Sequence, residues 1–116
     1  TIVVCDRYIY SSIAYQGYAK GLSLDTIAEI NSIATSHISP DLVFLLDINP
    51  KVAFERKKSD PKDRFERESM SFHNSVRKGY LGLAESNQNA WHIINAEKPT
   101  EIISEIIWQK VITFLT

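Results

Sequence analysis

The chain has 116 residues, 44% hydrophobic and 23% charged, with a formal net charge of -1; this is the scale and composition of one soluble globular domain or part of one. The balance of charge excludes a global positive field for nucleic acid or an anionic membrane, so any phosphate chemistry must come from local basic groups. Cys5 is the only cysteine, which excludes an intrachain disulfide and a multi-cysteine metal site.

Ile2 to Cys5 is a β-branched apolar run without alternation. It predicts a strand buried on both faces, with Cys5 an inert buried thiol. The chain begins without methionine inside that run. A buried strand needs neighbours on both edges, so a natural chain extending further N-terminally is expected. A helix should start near Tyr8 or Ile9, with Gly17 to Gly21 as its C-cap and turn. Ser23 can cap a second helix whose apolar face is Ile27, Ile30, Ile33 and Ala34, with Pro40 beyond its end.

Leu42 to Leu46, closed by Asp47, is a second buried-strand pattern. Asn49 and Pro50 read as N-cap and first helical position, leading into Val52, Ala53 and Phe54. Lys57 to Arg64 is polar and interrupted by Asp60-Pro61, which predicts a mobile loop. Phe72, Val76, Tyr80, Leu83 and Ala84 mark the next helix, with Phe65 and Phe72 read as packing. Trp91 to Ile94, closed by Asn95, is a third strand pattern, and the last helix starts near Pro99. No apolar run reaches a membrane span and no signal-peptide pattern occurs, so a cytoplasmic protein is expected.

Strands alternating with helices imply parallel pairing with crossovers. In open parallel sheets ligands bind beyond the C-terminal strand ends. The three predicted strands end in Asp6, Asp47 and Asn95, which places Asp6-Arg7 on that rim. An arginine there offers a donor fork suited to phosphate. Ser12 and Gln16, and beside them Ser11 and Tyr15, are spaced i, i+4 on the expected helix. A glutamine amide can donate to and accept from a base edge, and a tyrosine can lie against a sugar. Together they describe a small nucleotide pocket. Spacing alone leaves Asp6-Arg7 equally open as a structural ion pair with a helix-capping acid. His37, His73 and His92 have no metal-ligand spacing, Trp91 and Trp108 read as core or interface, and Lys57, Lys58 and Lys62 as a solvated basic face.

"DRYIYSSIAYQGYAKG", "PDLVFLLDINPKVAFERK", "RFERESMSFHNSVRKGYLGLA" and "IINAEKPTEIISEI" occur in this order, and through them the chain resembles bacterial-type thymidylate kinase essentially end to end. The first motif is specific; the others gain weight from order and spacing. The resemblance implies an α/β architecture, the P-loop NTPase nucleoside-monophosphate-kinase fold, with a parallel sheet flanked by helices and three of its strands present. Residues 1–116 would be the C-terminal part of a single thymidylate kinase domain with a lid around 57–67. The implied reaction moves the γ-phosphoryl group of ATP to dTMP, giving dTDP on the route to dTTP, with Mg2+.

By the same resemblance, Asp6 lies near the acceptor phosphate and reaches a metal only through water, and Arg64 is a catalytic lid arginine. Arg7 takes the dTMP phosphate. Ser11 joins the dTMP pocket, Ser12 and Gln16 face thymine, and Tyr15 sits by the deoxyribose and disfavours a 2′-hydroxyl. Arg56, Arg67, Asn95 and Ala96 belong to the ATP side and lid, although relatives commonly carry Asp where Asn95 stands. The family forms homodimers, with no nucleic acid or membrane as partner.

No G-x-x-x-x-G-K-[ST] occurs in the chain. The isolated chain is therefore expected to be inactive, because nothing in it cradles the ATP phosphates. Two other readings remain: another deoxynucleoside or nucleotide kinase, which Ser12, Tyr15 and Gln16 disfavour, and a non-catalytic module of the same fold, dimerising through a face such as Ile27, Ile30 and Ala34.

Overall fold

The structure, a computed structural model, describes residues 1–56 and 69–116. Its elements run α1 (Ile9–Ser12), continuing as a π-helical segment (Ile13–Ala19), then α2 (Leu24–Ala34), β1 (Val43–Asp47), α3 (Pro50–Arg56), α4 (Met70–Ser86), β2 (Trp91–Asn95) and α5 (Thr100–Leu115). β1 and β2 pair in parallel, from Val43 opposite Trp91 to Asp47 opposite Asn95. Parallel neighbours need a long crossover, and α3 and α4 lie between these two in sequence.

Local chemistry sets the helix starts, at Ser23 and Asn49-Pro50 as the sequence predicts and at Ser69 besides. The Ser23 hydroxyl accepts from Thr26 N at the head of α2, and Ser69 accepts from Phe72 N at the head of α4. Asn49 Oδ1 accepts from Lys51 N at 2.9 Å, with Pro50 as the first residue of α3. Each side chain satisfies an N–H that the helix leaves open. Gly21 follows the π-helical segment with φ 76, a left-handed value that suits a residue without a Cβ.

α4 packs mainly on the π-helical segment. The approach is close because Gly79 faces Tyr18: a Cβ on Gly79 would stand 2.9 Å from Tyr18 Cβ. Gly17 is likewise covered by Leu24 and Ile27 of α2. The buried apolar residues are Ala14, Ile27, Val76, Ala84, Trp91 and Ile94. The Tyr10 ring stands edge-on to Trp91 at 4.8 Å. His73 is buried with Phe54 and Phe72 edge-on to its ring, so it is a packing residue. His92 stacks on Phe44, and burial together with the Lys110 ammonium holds its pKa below the ordinary histidine value.

Three expectations need correction. Ile2 to Cys5 forms no strand; the sheet among the described residues has two strands, not three. Ile2, Val3 and Val4 are 69%, 78% and 90% exposed, and Cys5 is exposed rather than a buried thiol. A strand exists by pairing, and no described element pairs with this run. The helix after Tyr8 widens from α to π at Ile13, so Ser12/Gln16 and Ser11/Tyr15 straddle a change of pitch instead of forming plain i, i+4 pairs. Of the predicted α2 face only Ile27 is buried, while Ile30, Ile33 and Ala34 are exposed. Trp108 is exposed as well. The expected mobile loop and lid, with Lys57, Lys58, Lys62, Arg64, Phe65 and Arg67, lie outside the described residues.

The two glycines of α4 should respond in opposite directions. Gly79→Ala gains helix propensity but drives a methyl into Tyr18, and overpacking should win by about 1 kcal/mol. Gly82 meets only the Tyr18 hydroxyl, at the ordinary contact distance of 3.6 Å. Gly82→Ala should stabilise by about 0.5 kcal/mol. Guanidinium unfolding of both variants checks this; shifts of the same sign would contradict the packing of α4 on Tyr18.

Candidate functional site

The C-terminal strand ends form a rim. Asp47 closes β1 and Asn95 closes β2, opposite one another in register. Ala96 N donates to Asp47 O at 2.8 Å, which carries the ladder one step past the sheet. Asn95 Oδ1 accepts from Glu97 N at 2.9 Å and so turns the chain toward α5. Arg56, at the end of α3, donates Nη1 to Ala96 O and Nη2 to Glu97 O, both at 2.8 Å. The structure thus brings together Arg56, Asn95 and Ala96, three residues expected on one side of the site. The Arg56 fork is engaged with backbone carbonyls, so its action here is to hold the turn after β2.

Arg77 of α4 reaches the same rim. Its Nε and Nη2 donate to Asp47 Oδ1 and Oδ2 at 2.9 and 3.0 Å. This bidentate geometry suits a guanidinium and a carboxylate. The hydrogen bond to Asp47 raises the Arg77 pKa above its ordinary value.

A second cluster forms where α1 and the π-helical segment meet α4. Arg7 has φ 66, a left-handed conformation that costs a non-glycine residue about 1–2 kcal/mol. Its guanidinium carbon lies 5.3 Å from the centroid of the Tyr15 ring, within cation–π range. Phe72 and Tyr80 of α4 flank Tyr15 at 6.0 and 6.4 Å. The Tyr80 hydroxyl donates to Ser11 Oγ at 2.9 Å. Burial raises the Tyr80 pKa above the ordinary phenol value. Lys20 Nζ stands 5.9 Å from the Phe72 ring centroid.

The predicted residues Arg7, Ser11 and Tyr15 therefore cluster beside α4, with Arg7 itself exposed. Ser12 is half-buried beside them, and Gln16 and Asp6 are exposed. Sequence reasoning missed Arg77, Tyr80 and Lys20 as site residues and read Phe72 as packing only. A signal for Arg77 was present. His73, Arg77, Tyr80 and Ala84 follow helical spacing, so Arg77 stands in the inward stripe of α4, where a charge needs a partner.

The family model described as thymidylate kinase matches residues 1–107. The chain belongs to the thymidylate kinase family. It is 46% identical over 114 residues to the thymidylate kinase of Onion yellows phytoplasma (strain OY-M), an alignment covering 95% of this chain and 55% of that protein. It is 41% identical over 110 residues to the thymidylate kinase of Desulforudis audaxviator (strain MP104C), covering 95% of this chain and 50% of the relative. Among solved structures, the thymidylate kinase from Ehrlichia chaffeensis superposes with a TM-score of 0.66 at 30% identity, covering 97% of this chain and 49% of that one. The chain spans about half the length of these relatives. The P-loop nucleoside-monophosphate-kinase fold class read from the sequence agrees with the family, with the parallel pair β1–β2 and its helices as the part described. No described helix is long and apolar enough to cross a membrane.

The Arg77–Asp47 pair offers a direct test of how the rim is held. The two side chains are 34% and 18% exposed, so solvent screens part of the attraction and each single loss should cost about 1–2 kcal/mol. Arg77→Met and Asp47→Asn, with their double variant, form a cycle in denaturant unfolding. The double variant should cost clearly less than the sum of the singles; simple additivity would mean that the pair contributes no coupling.

Proposed function

We propose that the protein carrying this chain is a dTMP kinase, and that the pocket around Arg7 is its acceptor site. Strained backbone at Arg7, holding a guanidinium over the Tyr15 ring with Ser11 alongside, is the observation that carries the reading. Family membership supports it.

In the proposed reaction a phosphate oxygen of dTMP attacks the γ-phosphorus of ATP. The bond to the bridging oxygen breaks, leaving dTDP and ADP. Such a transfer depends on positioning and on neutralising charge. Arg7 takes the dTMP phosphate, while the Tyr15 ring lies along the deoxyribose and crowds a 2′-hydroxyl. Ser12 and Gln16 address thymine, with Ser11 completing the pocket. Asn95 and Ala96 line the adenine side, in a turn that Arg56 stiffens. Arg64 and Arg67 supply lid charges, Arg64 as the catalytic one.

Mg2+ would neutralise the nucleotide phosphates. It favours a few carboxylates together with phosphate and water over an all-protein cage. The exposed carboxylate of Asp6 fits such a donor set by holding metal-bound water. The reading includes a cytoplasmic homodimer acting on free nucleotides, with neither nucleic acid nor membrane as partner. Ile30 and Ile33 on the outer face of α2, 60% and 70% exposed, support a dimer surface there.

Arg7 and Arg64 should separate kinetically in the gene product that carries this chain. Arg7→Ala should lower kcat/KM for dTMP about ten- to a hundredfold, the worth of a charged hydrogen bond. Arg64→Ala should lower kcat strongly and leave the dTMP dissociation constant nearly unchanged, because its charge acts in the transition state. Steady-state kinetics with dTMP titration measures both; an Arg7→Ala enzyme with unaltered kcat/KM would return Arg7 to a structural role. For the dimer, the paired change Ile30→Asp and Ile33→Asp should give a monomer by light scattering. An unchanged mass would remove α2 from the interface.

A further inference from the structure

Ser11 and Tyr80 are 69 positions apart, yet their hydroxyls meet at 2.9 Å with Tyr80 as donor. A serine hydroxyl is a rotor with one proton and two lone pairs, and its direction follows its partners. A donor fixed on Ser11 Oγ occupies a lone pair and leaves the serine proton to point elsewhere. The same phenol ring stands edge-on to Tyr15 at 6.4 Å, so one side chain touches two members of the pocket.

Tyr80 is itself held at several points. Gly79 beside it admits Tyr18 at a distance that no Cβ would allow. One turn earlier, at the i, i+3 spacing that shares a helix face, Arg77 grips both oxygens of Asp47. α4 is thus pinned to the π-helical segment and to the end of β1, and Tyr80 projects from the pinned stretch. A loosely tethered tyrosine could not hold a hydroxyl rotor; this one has the rigidity to do so.

We infer that Tyr80 is a positioning residue of the acceptor pocket: it turns the Ser11 hydroxyl into an oriented donor toward an acceptor oxygen of the bound nucleoside monophosphate, and it sets the tilt of the Tyr15 ring. The inference rests on the dTMP-kinase reading above and deepens it. Tyr80 acts through Ser11 and Tyr15 and has no part in the chemical step. Removal of its hydroxyl therefore loosens the acceptor nucleotide and leaves ATP binding alone.

The test uses the gene product carrying this chain, with Tyr80→Phe, Ser11→Ala and the double variant. Tyr80→Phe keeps the ring and its packing and removes only the donor. Each single change should raise KM for dTMP about three- to tenfold, the size of one hydrogen bond, with KM for ATP and kcat nearly unchanged. The double variant should be no worse than Ser11→Ala, because Tyr80 acts through the atom already lost. Unaltered KM for dTMP in Tyr80→Phe overturns the inference. So do equal effects on both substrates, which mark a packing role, and so does a double variant whose losses multiply. Wild-type turnover with dTMP is measured first: its absence overturns the dTMP-kinase reading and this inference together, whereas its presence with a silent Tyr80→Phe overturns this inference alone.

Discussion

Arg77 crosses from α4 to hold both oxygens of Asp47, and the geometry of the site depends on that grip. Asp47 is the last residue of β1, in register with Asn95 of β2. Asn95 opens the turn that Arg56 holds from α3. Three elements are therefore located relative to one strand end. An arginine suits this task because its planar fork fixes direction as well as distance. A lysine would keep the charge and lose the alignment.

The same stretch of α4 sets the second cluster. Gly79 allows the helix to sink against Tyr18, and that depth brings Phe72 and Tyr80 to Tyr15 and Ser11. The cations Arg7 and Lys20 are placed over rings that α4 either supplies or flanks. Aromatic faces attract these charges and do not neutralise them. Backbone strain at Arg7 persists only because the surrounding packing over-determines that conformation.

Much of the local structure was legible in the residues. Ser23 and Asn49-Pro50 stand at the observed helix starts because capping is short-range chemistry between neighbours. Val43–Asp47 and Trp91–Asn95 are strands where dense apolar runs end in a polar residue. Arg7, Ser11 and Tyr15 were picked out by residue type and spacing, and they do meet. The run Ile2 to Cys5 has as strong a strand pattern as the others, yet it is not a strand. Strand propensity measures fit to a partner surface, and the partner is a tertiary fact.

The sequence by itself determined where α2 and α3 begin, the two runs that become β1 and β2, and which small polar groups follow Asp6. It also carried the family, since the order of the four motifs survives without any coordinates. Only the tertiary structure decided that Tyr80 donates to Ser11, that Arg77 holds Asp47, that Arg56 is engaged by the carbonyls of Ala96 and Glu97, and that the first helix widens into a π-helix. Each of these joins residues far apart in the chain or turns on how closely two elements approach. Composition and periodicity report which face of an element is apolar; they do not report the depth or register at which that face meets its neighbour, and a hydrogen bond of 2.9 Å is set by depth and register.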